Sequence, residues 1–241
     1  MAATFSRPKW IVLIEISSVL VFFVVLALHA MTVLQAIDST ERAILFVGCF
    51  FFGYLVADFG TGCVHFFCDR FFEEDTFILG PGLIKPFREH HRDPEGMTKH
   101  DFFELNGHNC LAMIPLICWA RAYPMALTTT WGFFANAFLL SLSFGVFGTN
   151  QFHAWAHVPH PNRVIAWLQR RDLILSPVRH GKHHSGDHSK SYCVTTGWMN
   201  PFCDRFGVFR LMEKTLMAMG VPRSKTIEDE PSVMAMARRQ G

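Results

Sequence analysis

The sequence lacks several patterns that mark common metal and redox proteins. No two of its seven cysteines are separated by two residues, which excludes a zinc ribbon and an attached c-type haem. An odd number of thiols is also not a disulfide framework. The H-E-x-x-H, G-x-G-x-x-G and paired Glu-x-x-His patterns are absent, which argues against zincin proteases, dinucleotide-binding domains and soluble di-iron carboxylate bundles. Electrons for any redox chemistry must therefore come from a separate protein.

Charge is also scarce. Only 17% of the 241 residues are charged and the net charge is +2, so no nucleic-acid partner is expected. Half of the residues are hydrophobic, including 25 phenylalanines, which is unusual for a soluble domain. The composition therefore predicts a membrane protein.

Four apolar runs are long enough, or nearly so, to cross a bilayer, which takes about 20 residues. They cover about 10–34, 43–67, 110–127 and 131–148, and the third is interrupted by Pro115, Arg121 and Pro124. We predict an all-α protein with about four transmembrane helices and a cytoplasmic, His-rich helical cap. One membrane domain would cover residues 1–220, followed by a mobile polar tail at 221–241.

Lysine and arginine are unevenly distributed, with 13 of 22 after Gly148 and five within 68–109. The positive-inside rule then places both termini and segment 68–109 in the cytoplasm. An integral multi-pass protein of the endoplasmic reticulum or of a bacterial inner membrane fits this arrangement. Segment 161–175 mixes apolar and basic residues and is typical of a helix in the membrane interface.

Histidine is abundant, with 13 copies, and all but His29 lie between positions 65 and 188. Four clusters reach the predicted cytoplasmic side. They comprise His65 with Asp58 and Asp69; His90 and His91, followed by His100; His153 and His157; and His180, His183 and His184, followed by His188. Isolated histidines such as His29, His108 and His160 are interpreted as packed or surface residues.

Spacing within two clusters predicts shared faces. Asp58, Gly62, His65 and Asp69 recur every three or four residues and fall on one side of a helix. Two roles remain open for Asp58, namely structural hydrogen bonding and support of the site. The H-x-x-H-H cluster follows Ser176-Pro177, a plausible N-cap and first-turn pair, and the spacing points three imidazoles to one side.

Imidazole suits iron, zinc and copper, and two ions would use about eight to ten protein ligands. Asp69 is available as a ligand or as a group that orients a histidine. Removal of hydrogen from an unactivated alkyl carbon needs a strong oxidant, which iron and O2 supply. A metal transporter would place ligands near the bilayer midplane. Here they collect at one surface, which favours an enzyme over a metal-binding membrane protein.

Several long stretches resemble the Kua family of membrane lipid desaturases. They are residues 53–58, 86–94, 149–157, 180–184 and 192–198. The resemblance implies two iron ions held by His65, His90, His91, His153, His157, His180, His183 and His184. The family branch that acts on ether lipids adds His100 and His188 as candidate ligands, and Asp69 and His188 become candidate catalytic residues.

The implied reaction converts the O-alkyl chain of an ether phospholipid to the vinyl ether of a plasmalogen, with O2 as co-substrate. Implied partners are the phospholipid, the membrane and a cytochrome b5-like or ferredoxin-like electron donor. Arg88 or Arg92 is a candidate contact for the lipid phosphate. The alternatives are an acyl desaturase of phospholipid-bound fatty acid, a lipid hydroxylase, or a metal-binding membrane protein without catalysis.

Overall fold

The computed structural model describes residues 7–122 and 127–225. Their regular structure is helical, without a β-strand in those ranges apart from one isolated bridge between Phe71 and Arg223. The helices are α1 (Lys9–Gln35), α2 (Thr40–Arg70), α3 (Lys85–Arg92), α4 (Phe102–Ala122), α5 (Thr130–Ala156), α6 (Arg163–Arg170), α7 (Pro177–Gly181), α8 (Asn200–Phe206) and α9 (Val208–Ala218). A π-helical turn at Gly80–Ile84 leads into α3, and a 3₁₀ turn covers Gly96–Lys99.

Three helices in the described ranges are long and apolar enough to cross a membrane, namely α1, α2 and α5. At the third predicted span the structure places α4, which begins at Phe102 rather than near 110. This helix carries Glu104, His108 and Arg121 and contains Pro115. Residues 123–126, near its predicted end, lie outside the described ranges, and a membrane span at α4 stays a prediction.

The chain divides into two compact units. Unit 1 comprises Met1–Ala57 and His100–Gln151, and unit 2 comprises Asp58–Lys99 and Phe152–Gly241, each as far as it is described. In unit 1, α1 packs against α4 through a core that contains Phe22 and Ile117. In unit 2, Phe66, Tyr192 and Phe209 form the centre of a second core.

Glu15 interrupts the first apolar run, and unit 1 supplies it with a partner. Its carboxylate is buried and pairs with Arg7. The same guanidinium contacts Asp101 and lies 3.4 Å from Glu104. A carboxylate inside a membrane helix is costly unless it is paired, so this contact accounts for a charge in α1.

Unit 1 also contains a close approach of two helices at Gly53. A Cβ at this position of α2 would lie 2.7 Å from the carbonyl oxygen of Phe138 and 2.9 Å from Cβ of Ser141, both in α5. Glycines permit such contact between membrane helices because the backbones can touch.

We expect Gly53→Ala to lower the thermal unfolding midpoint of the detergent-solubilised protein, with a cost of about 1–3 kcal/mol from overpacking. Gly48→Ala, on the same helix with open space around it, is the matched control. That change should be neutral or slightly stabilising because alanine favours a helix over glycine. Equal effects of the two substitutions would contradict the packing argument.

The predicted tail begins with ordered residues. Ser224 is buried, and its backbone N–H donates to the carbonyl of Arg70 at 3.0 Å. The N–H of Phe72 likewise donates to the carbonyl of Pro222. The start of this segment therefore packs in unit 2, whereas residues 226–241 of the predicted tail lie outside the described ranges.

Candidate metal centre

Unit 2 brings nine of the predicted site residues into two groups. Group one contains His90, His153, His157, His180 and His184, and group two contains His65, Asp69, His91 and His183. Within each group, one possible ligand atom from every residue lies within 4.8 Å of the others. The groups adjoin, since the rings of His90 and His91 are 4.2 Å apart and those of His65 and His153 are 5.7 Å apart.

The helices explain how four distant sequence clusters meet. The last two turns of α2 present His65 and Asp69 on one face, four residues apart. The end of α3 carries His90 and His91, and α5 with the turn after it carries His153 and His157. The fourth cluster begins in α7, where the hydroxyl of Ser176 accepts from the N–H of Arg179, as the cap pattern predicted.

His180 is the centre of group one. Its Nε2 lies 2.9 Å from the Nε2 atoms of His153, His157 and His184. His90, His153 and His180 are buried, and Nε2 of His90 has no hydrogen-bond partner. Several imidazole nitrogens that converge in this way suit a divalent transition-metal ion, because a cation accepts all their lone pairs at once.

Group two is built around a carboxylate. Oδ2 of Asp69 lies 3.2 Å from Nε2 of His65, 3.3 Å from Nε2 of His183 and 3.6 Å from Nε2 of His91. The side chains are almost completely buried, with exposed fractions of 0% for His65 and His183, 3% for Asp69 and 9% for His91. Neither oxygen of Asp69 has a hydrogen-bond donor of standard geometry.

The outer nitrogens of group two show which atoms remain for a cation. Nδ1 of His65 lies 3.1 Å from the carbonyl oxygen of Tyr192, and Nδ1 of His183 lies 2.8 Å from that of Lys190. A carbonyl only accepts, so these contacts put the proton on Nδ1 and leave a lone pair on Nε2. Lone pairs and a carboxylate then face one another, and a cation at their centre satisfies them all. The residues present therefore fit a metal ion.

The electrostatics outside the candidate membrane spans favour neutral, ligating imidazoles. Burial lowers the pKa of His90 and of His180 well below the ordinary imidazole value, and neighbouring imidazoles lower both further. Burial also lowers the pKa of His157 to about 4 and that of His184 to about 2. Metal ions bind the neutral form of imidazole, so this environment suits binding near neutral pH.

Asp58 has a structural role that the sequence left open. Its Oδ1 accepts from the backbone N–H groups of Thr195, Thr196 and Gly197 at 2.8–3.1 Å, and Oδ2 accepts from that of Met199 at 3.0 Å. The residue is fully buried. It therefore fixes the segment that follows Tyr192, whose carbonyl contacts His65.

Gly62 shares the same face of α2. A Cβ there would lie 2.7 Å from Sγ of Cys193, so only glycine allows the segment to approach this closely. With Asp58 one turn earlier and His65 one turn later, the whole face packs against residues 192–199. The predicted periodic face is thus a docking face for this segment as well as a source of site residues.

The three imidazoles of the H-x-x-H-H cluster meet at one centre, with ring centroids 4.5 to 5.9 Å apart. They divide between its two groups, because α7 ends at Gly181 and His183 turns into group two while His180 and His184 enter group one. The geometry corrects the prediction that Arg88 contacts the lipid phosphate. Arg88 is buried and donates to the backbone carbonyls of Cys68, Phe71 and Phe72. It therefore ties the end of α2 to α3 and is not available for a phosphate. Arg92 pairs with Glu74 at 2.8 Å.

The remaining predicted residues lie outside both groups. The ring of His188 stacks on His91 at 4.3 Å with an interplanar angle of 12°, and its backbone has a positive φ of 53°. Such strain in a non-glycine residue is common beside functional sites. His100 is about half exposed, and its Nδ1 lies 2.9 Å from Oε1 of Glu104 in unit 1. The acceptor carbonyls of Tyr192 and Lys190 were not predicted, since backbone oxygens leave no signal in a sequence.

Across residues 7–122 and 127–225, the fold and the site together define a helical protein with three candidate membrane-spanning helices and a histidine-rich candidate metal centre. Comparison with known proteins gives the family. Residues 54–225 match the lipid desaturase domain, and the chain belongs to that family. No solved structure matches the chain.

Among curated proteins, the chain is 46% identical over 148 residues to a plasmanylethanolamine desaturase of Myxococcus xanthus, covering 61% of this chain and 52% of that protein. It is 38% identical over 176 residues to plasmanylethanolamine desaturase 1 of Mus musculus, covering 69% and 63%. It is 32% identical over 177 residues to the chloroplastic fatty acid desaturase 4 of Arabidopsis thaliana, covering 71% and 52%. The matched region thus spans between half and two thirds of these relatives.

Proposed function

We propose that this chain is an O2-dependent, di-iron membrane lipid desaturase that forms the vinyl ether of plasmalogens from alkyl ether phospholipids. The observation that carries the proposal is the pair of adjoining ligand groups in unit 2, within a chain of the lipid desaturase family. The two relatives with the highest identities given above are plasmanylethanolamine desaturases, which supports the ether lipid as substrate.

The proposed reaction breaks one C–H bond on each of two adjacent carbons of the alkyl chain and forms a double bond beside the ether oxygen. O2 takes up the two electrons and two protons removed from the lipid, and two more of each from outside, giving two molecules of water. The iron pair supplies the activation of O2. The external electrons come from a separate donor of the cytochrome b5 or ferredoxin type.

The residues of the chain hold and orient this centre. The five imidazoles of group one and the three imidazoles with Asp69 of group two are the proposed ligands. The carbonyls of Tyr192 and Lys190 keep the protons of His65 and His183 on Nδ1, so that Nε2 faces inward. His188, stacked on His91, is proposed as a further ligand or proton-transfer group, whereas His100 would act only outside the two groups.

The proposed topology follows from the charge distribution of the sequence. Both termini and the four histidine clusters would lie on the cytoplasmic side of the endoplasmic reticulum or a bacterial inner membrane. A soluble or membrane-anchored electron donor on that side would then reach the centre.

Lipid mass spectrometry with acid treatment tests the function. We expect cells that contain alkyl ether phospholipids but make no vinyl ethers to accumulate acid-labile plasmalogens when they express this chain. The His184→Ala variant, which lacks one imidazole of group one, should give none at equal expression.

The alternatives give different products in the same experiment. A new acyl double bond without plasmalogen would assign the chain to acyl desaturation, which its 32% identity to fatty acid desaturase 4 makes the second candidate. A hydroxylated lipid would indicate a hydroxylase. If no new product forms, with a reductant present and the protein in the membrane, the remaining candidate is a metal-binding membrane protein without catalysis.

A further inference from the structure

The two ligand groups differ in charge. Group one consists of five neutral imidazoles, whereas group two has three imidazoles and the carboxylate of Asp69. A divalent ion in group one would keep a net charge of +2, and in group two the carboxylate would reduce this to +1. Burying uncompensated charge is unfavourable in a protein interior, so the two positions cannot bind the same ion equally well.

The surroundings of Asp69 add to this difference. Both of its oxygens are buried without a donor of standard geometry, and Oδ2 faces the Nε2 atoms of His65 and His183, whose protons lie on Nδ1. A cation in group two therefore relieves an unfavourable buried anion in addition to accepting lone pairs. Group one contains no anion, and a cation there only replaces contacts among neutral rings.

The groups also differ in access. All four side chains of group two are at least nine-tenths buried. In group one, His157 and His184 are only partly buried, and both touch the central nitrogen of His180. An ion in group one is thus nearer to solvent and to a chelator than an ion in group two.

From this asymmetry we propose that the two metal positions are inequivalent and fill in order, with group two first because Asp69 gives it the tighter binding. This inference rests on the proposed function, which supplies the two ions. Group two is then the firmly held position, and group one is the position that exchanges with solution. Its mixed nitrogen and oxygen ligands also make group two the better site for a harder ion.

Titration of the full-length, detergent-purified and chelator-stripped protein with Co²⁺ tests the order. Calorimetry gives the binding phases, visible absorption distinguishes nitrogen-only from mixed ligand sets, and elemental analysis gives the number of ions bound. We expect two phases, the tighter with the spectrum of the mixed set. Chelator should then remove the ion of the weaker phase first.

Two variants should remove different phases. Asp69→Asn keeps the size of the side chain but removes its charge, and it should weaken binding in the tight phase by more than about 10-fold. Removal of an outer partner of a metal ligand already costs about 10-fold in affinity, and loss of the ligand's charge should cost more. Asp69→Glu should restore part of it, which separates loss of charge from misfolding. His184→Ala should remove only the weak phase. Asp93→Asn, an exposed change in the same unit, should leave both phases intact.

The outcomes separate this inference from the proposed function. Two ions bound in a single phase by the unaltered protein, or equal losses in both phases for Asp69→Asn, would overturn the inference and leave the di-metal function standing. No Co²⁺ bound by the unaltered protein would overturn both, and would make group two a histidine–carboxylate network that shares a proton.

Discussion

If the proposed function holds, replacement of His180 by alanine is expected to abolish plasmalogen formation and to lower the metal content of the purified protein to about one ion per chain. His180 has the largest predicted effect because its Nε2 is the atom from which three other imidazole nitrogens lie 2.9 Å away. Loss of a single outer partner of a ligand already costs 10–100-fold in affinity or activity. Loss of the central ligand should cost more than about 100-fold.

The matched control for this prediction is His160→Ala. His160 is exposed, lies in the same unit and belongs to neither ligand group. It should keep full activity and two ions, which would show that removal of a histidine does not by itself inactivate the chain. If His180→Ala retained both ions and normal product, group one would not be a metal site.

Replacement of Asp58 by alanine is expected to destabilise the protein as strongly as any single change in unit 2. The substitution leaves four backbone N–H groups, those of Thr195, Thr196, Gly197 and Met199, without their acceptor. Each buried unsatisfied donor costs about 1–3 kcal/mol. We expect a loss on the order of 4 kcal/mol and a fall of the unfolding midpoint by roughly 10 °C.

Asp58→Asn should give an intermediate result. Its amide oxygen can replace one carboxylate oxygen and accept from the N–H groups that contact that oxygen. Its amide NH2 would take the place of the other oxygen and would face an N–H group instead of accepting from it. The control is Asp38→Ala, which removes an exposed carboxylate paired with Arg42 and should change stability by less than about 1 kcal/mol. Unfolding followed by intrinsic fluorescence in detergent measures all three variants. An unchanged midpoint for Asp58→Ala would disprove the anchoring role.

Much of the helical framework could be predicted from the sequence, because hydropathy fixes where long apolar helices lie. Helices α1 and α2 begin and end within about three residues of the predicted spans. Helix α5 runs eight residues past the predicted end at 148, because the polar residues after it remain helical and carry His153. Hydropathy marks the apolar part of a helix, and it gives no information about a polar extension.

The assembly of the nine site residues into two groups could not be predicted. Adjacent residues separate, with His90 in group one beside His91 in group two, and His184 in group one beside His183 in group two. The direction of each ring depends on where α3 and α7 end and on carbonyl oxygens from the 190–192 segment. The same reason accounts for Arg88, whose charge suggested a phosphate contact, whereas its position in α3 beside the end of α2 makes it a backbone anchor.

The bonds between Asp58 and the Thr195–Met199 segment join parts of the chain that are 137–141 residues apart in sequence. Contacts of such long range form late, because the intervening chain must be ordered before they can close. During synthesis the histidines of α2 and α3 would emerge well before their partners, and they would stay open to solvent until the later segments arrive. A metal ion would therefore enter a nearly finished protein.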